Sequence, residues 1–199
     1  QEAVQGRMTL QLPGMQATAQ GKLAPLNGQG RLDVQMQDAA LSQTWLQALP
    51  GWGAQLKAFK ASGPAQLQAQ WHGGFAQADA PLSLQLQWPR IEWTQAGPSS
   101  APTNKPTSRP APWFLAPGQL RLQGTPLALQ AELQARLGQG TNSAQLQSTW
   151  RASRDDVRSP SWQGRFDQLA LSTPNTQNPT AAPWRLALQS TLAWQARLE

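Results

Sequence analysis

The chain has 199 residues, among them 30 Gln, 27 Leu and 10 Trp, with a single His and neither Tyr nor Cys. Its length suits one domain or two small ones that bury roughly 70 % of the unfolded surface, and the missing thiols exclude disulfides, cysteine nucleophiles, iron–sulfur clusters and Cys-built zinc sites. Charged residues are only 13 % of the chain, and the net charge of +6 sits almost wholly in residues 101–199, which hold 10 basic and 5 acidic groups against 6 and 5 in residues 1–100.

Propensity and periodicity disagree about what this composition builds. Leu, Ala and Gln favour helix, and Val and Ile total only 4 residues, so propensity alone points to helices. Periodicity points to strands. Apolar residues alternate at Met8-Leu10-Leu12 and again at Leu32-Val34-Met36. Alternation gathers apolar groups on one face of a strand and would scatter them around a helix.

One helix interrupts the strands. Asp38 caps a segment from about Ala39 to Leu49, with Leu41, Trp45 and Leu49 as its apolar stripe and Pro50-Gly51 as its stop. Such a helix either covers an end or face of a sheet or plugs its core. Alternation resumes at Ala65-Leu67-Ala69-Trp71 and Leu82-Leu84-Leu86-Trp88. Residues 95–112 carry Pro at 98, 102, 106, 110 and 112 among Ser, Thr and Ala, which reads as a loop or linker of polyproline character.

Beyond that linker, Leu120-Leu122 and the run Leu127-Leu129-Ala131-Leu133-Ala135-Leu137 alternate. Arg151 to Pro160 reads as a charged turn whose Arg and Asp neutralise one another, and Thr173 to Pro183 as a polar loop. A last strand runs from Trp184 to Leu198. Gly30, Pro64, Pro81, Gly118, Pro126 and Pro183 mark strand starts. The expectation is a mostly β chain of ten to twelve strands: a β segment over 1–94, the linker over 95–112, and a second β segment over 113–199 that continues the sheet.

Convergent titratable groups are scarce. Six Asp, four Glu and His72 are spread along the chain, which leaves no Ser-His-Asp triad, no multi-His metal centre and no paired-carboxylate device, so neither an enzyme nor a cofactor is expected. Asp155 and Asp156 are adjacent, which separates them in a strand and solvates them in a turn. His72 reads as a hairpin residue. Gly28-Gln29-Gly30 lacks both the third glycine of a dinucleotide loop and the Lys-Ser/Thr of a phosphate loop. Arginines occur singly, so no nucleic-acid partner is expected. No run approaches the roughly 18 apolar residues of a membrane helix. The abrupt start at Gln1 and the end inside a strand read as a fragment of a longer protein.

Trp71, Trp88, Trp184 and Trp194 fall in phase with the leucines of their strands. Two readings follow. The rings fill a sandwich core, or they rim a groove formed where a long one-layer sheet curls its apolar face around acyl chains.

Residues 21–75, read as GKLAPLNGQGRLDVQMQDAALSQTWLQALPGW and then SGPAQLQAQWHGGF, resemble the TamB family of translocation and assembly module proteins, in its C-terminal region, and the wider AsmA-like group. The resemblance implies a β-taco: a long, curled, meandering antiparallel sheet with a hydrophobic groove. It further implies a periplasmic piece of an inner-membrane-anchored protein of a Gram-negative bacterium. That protein would carry phospholipid acyl chains between the membranes, partner the outer-membrane barrel TamA, and meet nascent outer-membrane proteins. On this reading Leu82, Leu84, Leu86, Trp88, Leu129, Leu133, Leu186, Leu188, Leu192 and Trp194 line the groove. The rival is a β-solenoid or β-sandwich glycan-binding or adhesin module, which places tryptophans such as Trp150 and Trp162 on the polar face for stacking on sugars. A third option is a scaffold that pairs its sheet edges with nascent barrel strands.

Overall fold

A computed structural model of the chain describes residues 4–24, 26–47, 59–74, 77–95, 111–156, 160–173 and 184–197. Periodicity prevails over propensity throughout. The strands are β1 (Val4–Leu12), β2 (Met15–Leu23), β3 (Gln29–Met36), β4 (Phe59–Ser62), β5 (Ala65–His72), β6 (Leu82–Trp88), β7 (Ile91–Gln95), β8 (Trp113–Thr125), β9 (Ala128–Gln139), β10 (Asn142–Ser153), β11 (Ser161–Ser172), β12 (Arg185–Ala187) and β13 (Leu192–Arg197). One helix, α1 (Ala39–Leu46), lies between β3 and β4. All thirteen strands join one antiparallel sheet.

The topology is a plain meander. β4 and β5 share one rung, β6 and β7 a second, and β12 and β13 a third, so the thirteen strands make ten rungs in chain order. Strands on both sides of residues 95–112 therefore belong to the same sheet, because β8 pairs with both β6 and β7. The two outermost rungs do not pair with each other, and the sheet is not closed.

Three of the interruptions form a line. Pro64 parts β4 from β5, Pro89 parts β6 from β7, and Pro117 lies where β8 shifts register between Leu115 and Gly118. Leu115 is opposite Leu137 and Gly118 opposite Ala135, so Ala116 and Pro117 face the single residue Arg136 as a bulge. A proline has no N–H to give the ladder, and aligning three of them confines the loss to one crossing line.

The chain end departs from the sequence reading. Residues 184–198 alternate like one strand, yet the structure breaks them into β12 and β13. The cause lies in the neighbour: β11 bulges where Thr149 pairs with Gln168 and Trp150 with Phe166, which leaves Asp167 extra. Ala187 still pairs with Ala170 and Leu192 with Phe166, so the break falls beside the bulge.

Helix α1 begins where Asp38 was expected to cap it, with the Asp38 Oδ1 accepting the Ala40 N–H at 3.0 Å. Its expected stripe is corrected at Leu41, while Trp45 is half-buried. Leu41 is 54 % exposed, whereas Ala39, Ser42 and Gln43 are buried; Leu49 falls outside the described residues. The helix docks by hydrogen bonds: Gln43 Oε1 accepts the Ala61 N–H at 2.9 Å, and Asp38 Oδ1 accepts the Gly63 N–H at 3.2 Å. It thereby covers the outer edge of β4, which would otherwise present bare donors. The β1–β2 turn sits beneath it. Gly14 there has φ 74°, and an added Cβ would stand 2.7 Å from the Leu41 Cβ, so glycine is needed for both backbone angle and space.

Candidate functional site: the apolar face of the sheet

Register converts the alternation of separate strands into rows that cross the whole sheet. One row runs Met8, Ala19, Leu32, Ala69, Leu84, Leu122, Ala131, Trp150, Phe166, Leu192, with one residue from every rung and none of them polar. Beside it run Leu10, Ala17, Val34, Leu67, Leu86, Leu120 and Leu133. At a rung spacing near 4.8 Å, ten rungs extend the face about 43 Å.

The opposite face is built with the same regularity. Gln11, Gln16, Gln35, Gln66, Gln87, Gln119, Gln134 and Gln147 are direct cross-strand neighbours, which makes a ladder of eight carboxamides. Glutamine is what the chain places in the polar half of each alternation, in keeping with its low charge.

Nothing large on the apolar side is fully buried among the described residues; the buried apolar set is mostly alanine, with Trp88 and Phe114 the larger members. Among the described residues, close backbone contacts of any extent run only between hydrogen-bonded neighbours and between α1 and β4. Exposure rises toward both ends, with Met8 at 64 % on β1 and Leu186 at 68 % on β12.

Three tryptophans lie flat over glycines on the next rung. Trp71 pairs with Gly30, Trp88 with Gly118 and Trp194 with Gly164, and in each pair a Cβ on the glycine would run into the indole. A ring laid over a missing side chain covers bare backbone and keeps the surface low. Trp150 meets Trp194 edge to face at 6.4 Å, while Trp93 and Trp113 stack at 6.5 Å near the proline line.

Nine of the ten residues expected to line a groove fall on this face by register. Leu82, Leu84, Leu86 and Trp88 come from β6, Leu129 and Leu133 from β9, Leu186 from β12, and Leu192 and Trp194 from β13. Leu188 lies just past β12, its N–H donating to the Leu169 carbonyl at 3.0 Å. They are not gathered around one cavity. A hollow of 950 Å³ includes Leu82, one of 1070 Å³ includes Leu129 and Trp194, and one of 740 Å³ at the proline line includes Trp88. Their linings mix apolar rows with flanking glutamines and arginines. The first two adjoin at Gln123 and Gly124.

Four arginines, Arg31, Arg90, Arg151 and Arg165, are paired with carboxylates at close range. Arg31 grips Asp33 through Nε and Nη2 at 2.7 and 2.8 Å. Asp167, in the β11 bulge, receives Arg151 at 2.6 Å and Arg165 at 3.0 Å. These hydrogen bonds hold the carboxyls of Asp33 and Asp167 below the usual range, opposed by partial desolvation and aided by the charges of the same arginines. The charged turn at 151–160 is thus corrected for two members: Arg151 reaches across to Asp167, and Arg154 Nε donates to the Pro126 carbonyl while its guanidinium covers Trp162 at 4.7 Å. Among the described residues no group of three or more His, Asp or Glu is placed to hold a metal, and no helix is long and apolar enough to cross a membrane.

Sequence reasoning missed β2, β4, β7, β10 and β11 as individual strands, and with them Ala17, Ala19, Trp150 and Phe166 of the apolar rows. Ala17, Ala19 and Gly21 of β2 are too small to mark an apolar period, though their alternation with Gln16, Thr18 and Gln20 carried the signal. No known protein family, curated protein or solved structure matches this chain.

Proposed function

We propose that the chain is a periplasmic segment of a TamB-like protein of the AsmA-like group, whose apolar face shields phospholipid acyl chains on their way between inner and outer membranes. In this reading the face curls into a groove lined by Leu82, Leu84, Leu86, Trp88, Leu129, Leu133, Leu186, Leu188, Leu192 and Trp194. The groove serves outer-membrane protein assembly alongside TamA.

One observation carries the reading: the ten-residue apolar row from Met8 to Leu192 crosses every rung, and its end members Met8 and Leu192 are exposed. Each methylene moved from water onto such a surface gains about 0.8 kcal/mol. A row whose one side-chain donor is the Trp150 indole N–H offers a nearly uniform apolar environment at each step, so a chain moves along it with few specific contacts to break. Function then lies in shape and wetting, with no reacting group.

The glycan-module reading needs tryptophans on the polar face. Trp150 pairs with Ala131 and Phe166, and Trp162 with Ala196, both on the side of Trp194. That placement supports the lipid reading over the sugar one.

The test is photocross-linking from Leu122 to phospholipid in cells. Leu86→Asp and Leu188→Asp each put a carboxylate on the face without touching the ladder hydrogen bonds, and either is expected to abolish the lipid adduct while the chain still accumulates. Undiminished adducts in both variants would refute the proposal. Purified chain that carries no phospholipid by native mass spectrometry, yet shifts with an oligosaccharide, would establish the rival.

A further inference from the structure

The rim of the apolar face beyond Trp194 holds a cation placed differently from the other arginines. Arg154 follows β10 directly, and its N–H continues the ladder by donating to the Leu127 carbonyl at 2.9 Å. Its Nε donates to the Pro126 carbonyl at 2.7 Å, and its guanidinium stands 4.7 Å from the centre of the Trp162 ring. Among the described residues its terminal Nη groups make no further hydrogen bond or ion pair. Both Nη groups are therefore available on a guanidinium that is already fixed at its Nε and along its flat side.

A hollow of 480 Å³ opens here, lined by Arg154, Asp155, Ser161, Trp162, Gln195 and Arg197 among others. Its size falls within the roughly 300–1,000 Å³ of small-ligand sites. Two guanidiniums against one carboxylate leave it cationic. Trp162 pairs with Ala196, two residues along the strands from the Gly164–Trp194 pair and on the same face, so the hollow borders the apolar face directly.

We propose that this hollow binds a phosphate ester, the headgroup of a phospholipid whose acyl chains lie on the adjoining face. A planar guanidinium presents two parallel N–H donors that match phosphate oxygens. Stacking on Trp162 and the bond to Pro126 set its orientation in advance, which lowers the ordering cost of binding. Arg197, opposite Ser161 on the neighbouring strand, is also among the residues that line the hollow. The inference rests on the lipid reading above for its source of phosphate, but the phosphate site itself stands on Arg154, Trp162 and Arg197.

Three probes separate the two claims, each titrated against the intact chain with tryptophan fluorescence as readout: dioctanoyl phosphatidylglycerol below its micellar concentration, dioctanoylglycerol, and glycerol phosphate. The expected result is that Arg154→Gln weakens phosphatidylglycerol binding at least about tenfold, the loss of a charged hydrogen-bond pair. Arg154→Lys, which keeps the charge and loses the fork, weakens it by less, and dioctanoylglycerol binds wild type and variants alike. Phosphatidylglycerol binding unchanged in Arg154→Gln overturns the anchor and leaves the lipid reading in place. Arg154-dependent binding of glycerol phosphate with neither lipid bound keeps the phosphate site and overturns the lipid reading. No binding of any probe overturns both.

Discussion

Gly30 and Gly6 occupy the same row of the sheet, and their surroundings differ completely. Gly30 lies under the Trp71 ring, whereas an added Cβ at Gly6 meets nothing within 4 Å. Gly30→Ala forces the indole off its seat and is expected to cost about 1–3 kcal/mol, the range for overpacking. Gly6→Ala is expected to stay within about 0.5 kcal/mol of wild type, as open surface positions do. Urea midpoints of the two variants check this, and equal losses would show that the ring does not rest on the glycine. The tryptophans in phase with leucines were legible in the sequence as belonging to the apolar side. Their glycine partners were not, because Gly30 and Trp71 lie on different strands and only register brings them together.

At the scale of elements, alternation identified β1, β3, β5, β6, β8 and β9 because leucine and methionine mark their period. The same rule failed at the chain end, where an unbroken pattern from Trp184 onward hides the split into β12 and β13. A strand's continuity depends on its neighbour's bulge as well as on its own residues. Asp167 fills that bulge and ties Arg151 to Arg165 across adjacent strands. Its carboxyl titrates lower in the folded chain than when unfolded, so its stabilisation is present above the ordinary carboxylate range and is lost as pH falls through the lowered folded value. Asp167→Asn is expected to lower the urea midpoint at pH 7 and to flatten its fall toward pH 3. A variant with the wild-type acid profile would show that Asp167 contributes no pH-linked stability. The helix offers a parallel lesson: Asp38 was readable as a cap from its position, but Leu41 faces water because Ser42 and Gln43 are the residues turned to the sheet.

For the whole molecule, ten rungs in simple chain order make a sheet whose two faces differ as much as sequence allows: an apolar row on one side, eight glutamines in line on the other. Mostly β architecture and one short helix were legible from periodicity. The exposure of leucines on the outer rungs was not, since a leucine destined for a sandwich core and one destined for an open face obey the same alternation. Exposure decides between them, and Met8, Leu10, Leu186 and Leu192 remain open to solvent. Tryptophan gives this distinction a direct optical readout, because Trp71, Trp88, Trp150 and Trp194 all lie on the apolar side. Fluorescence of the wild-type chain is measured with a phospholipid brominated along its acyl chains and with the same lipid unbrominated. Strong quenching by the brominated lipid alone is the expected result, with bromine reaching the indoles through bound acyl chains. Emission identical with both lipids would mean that no acyl chain reaches this face.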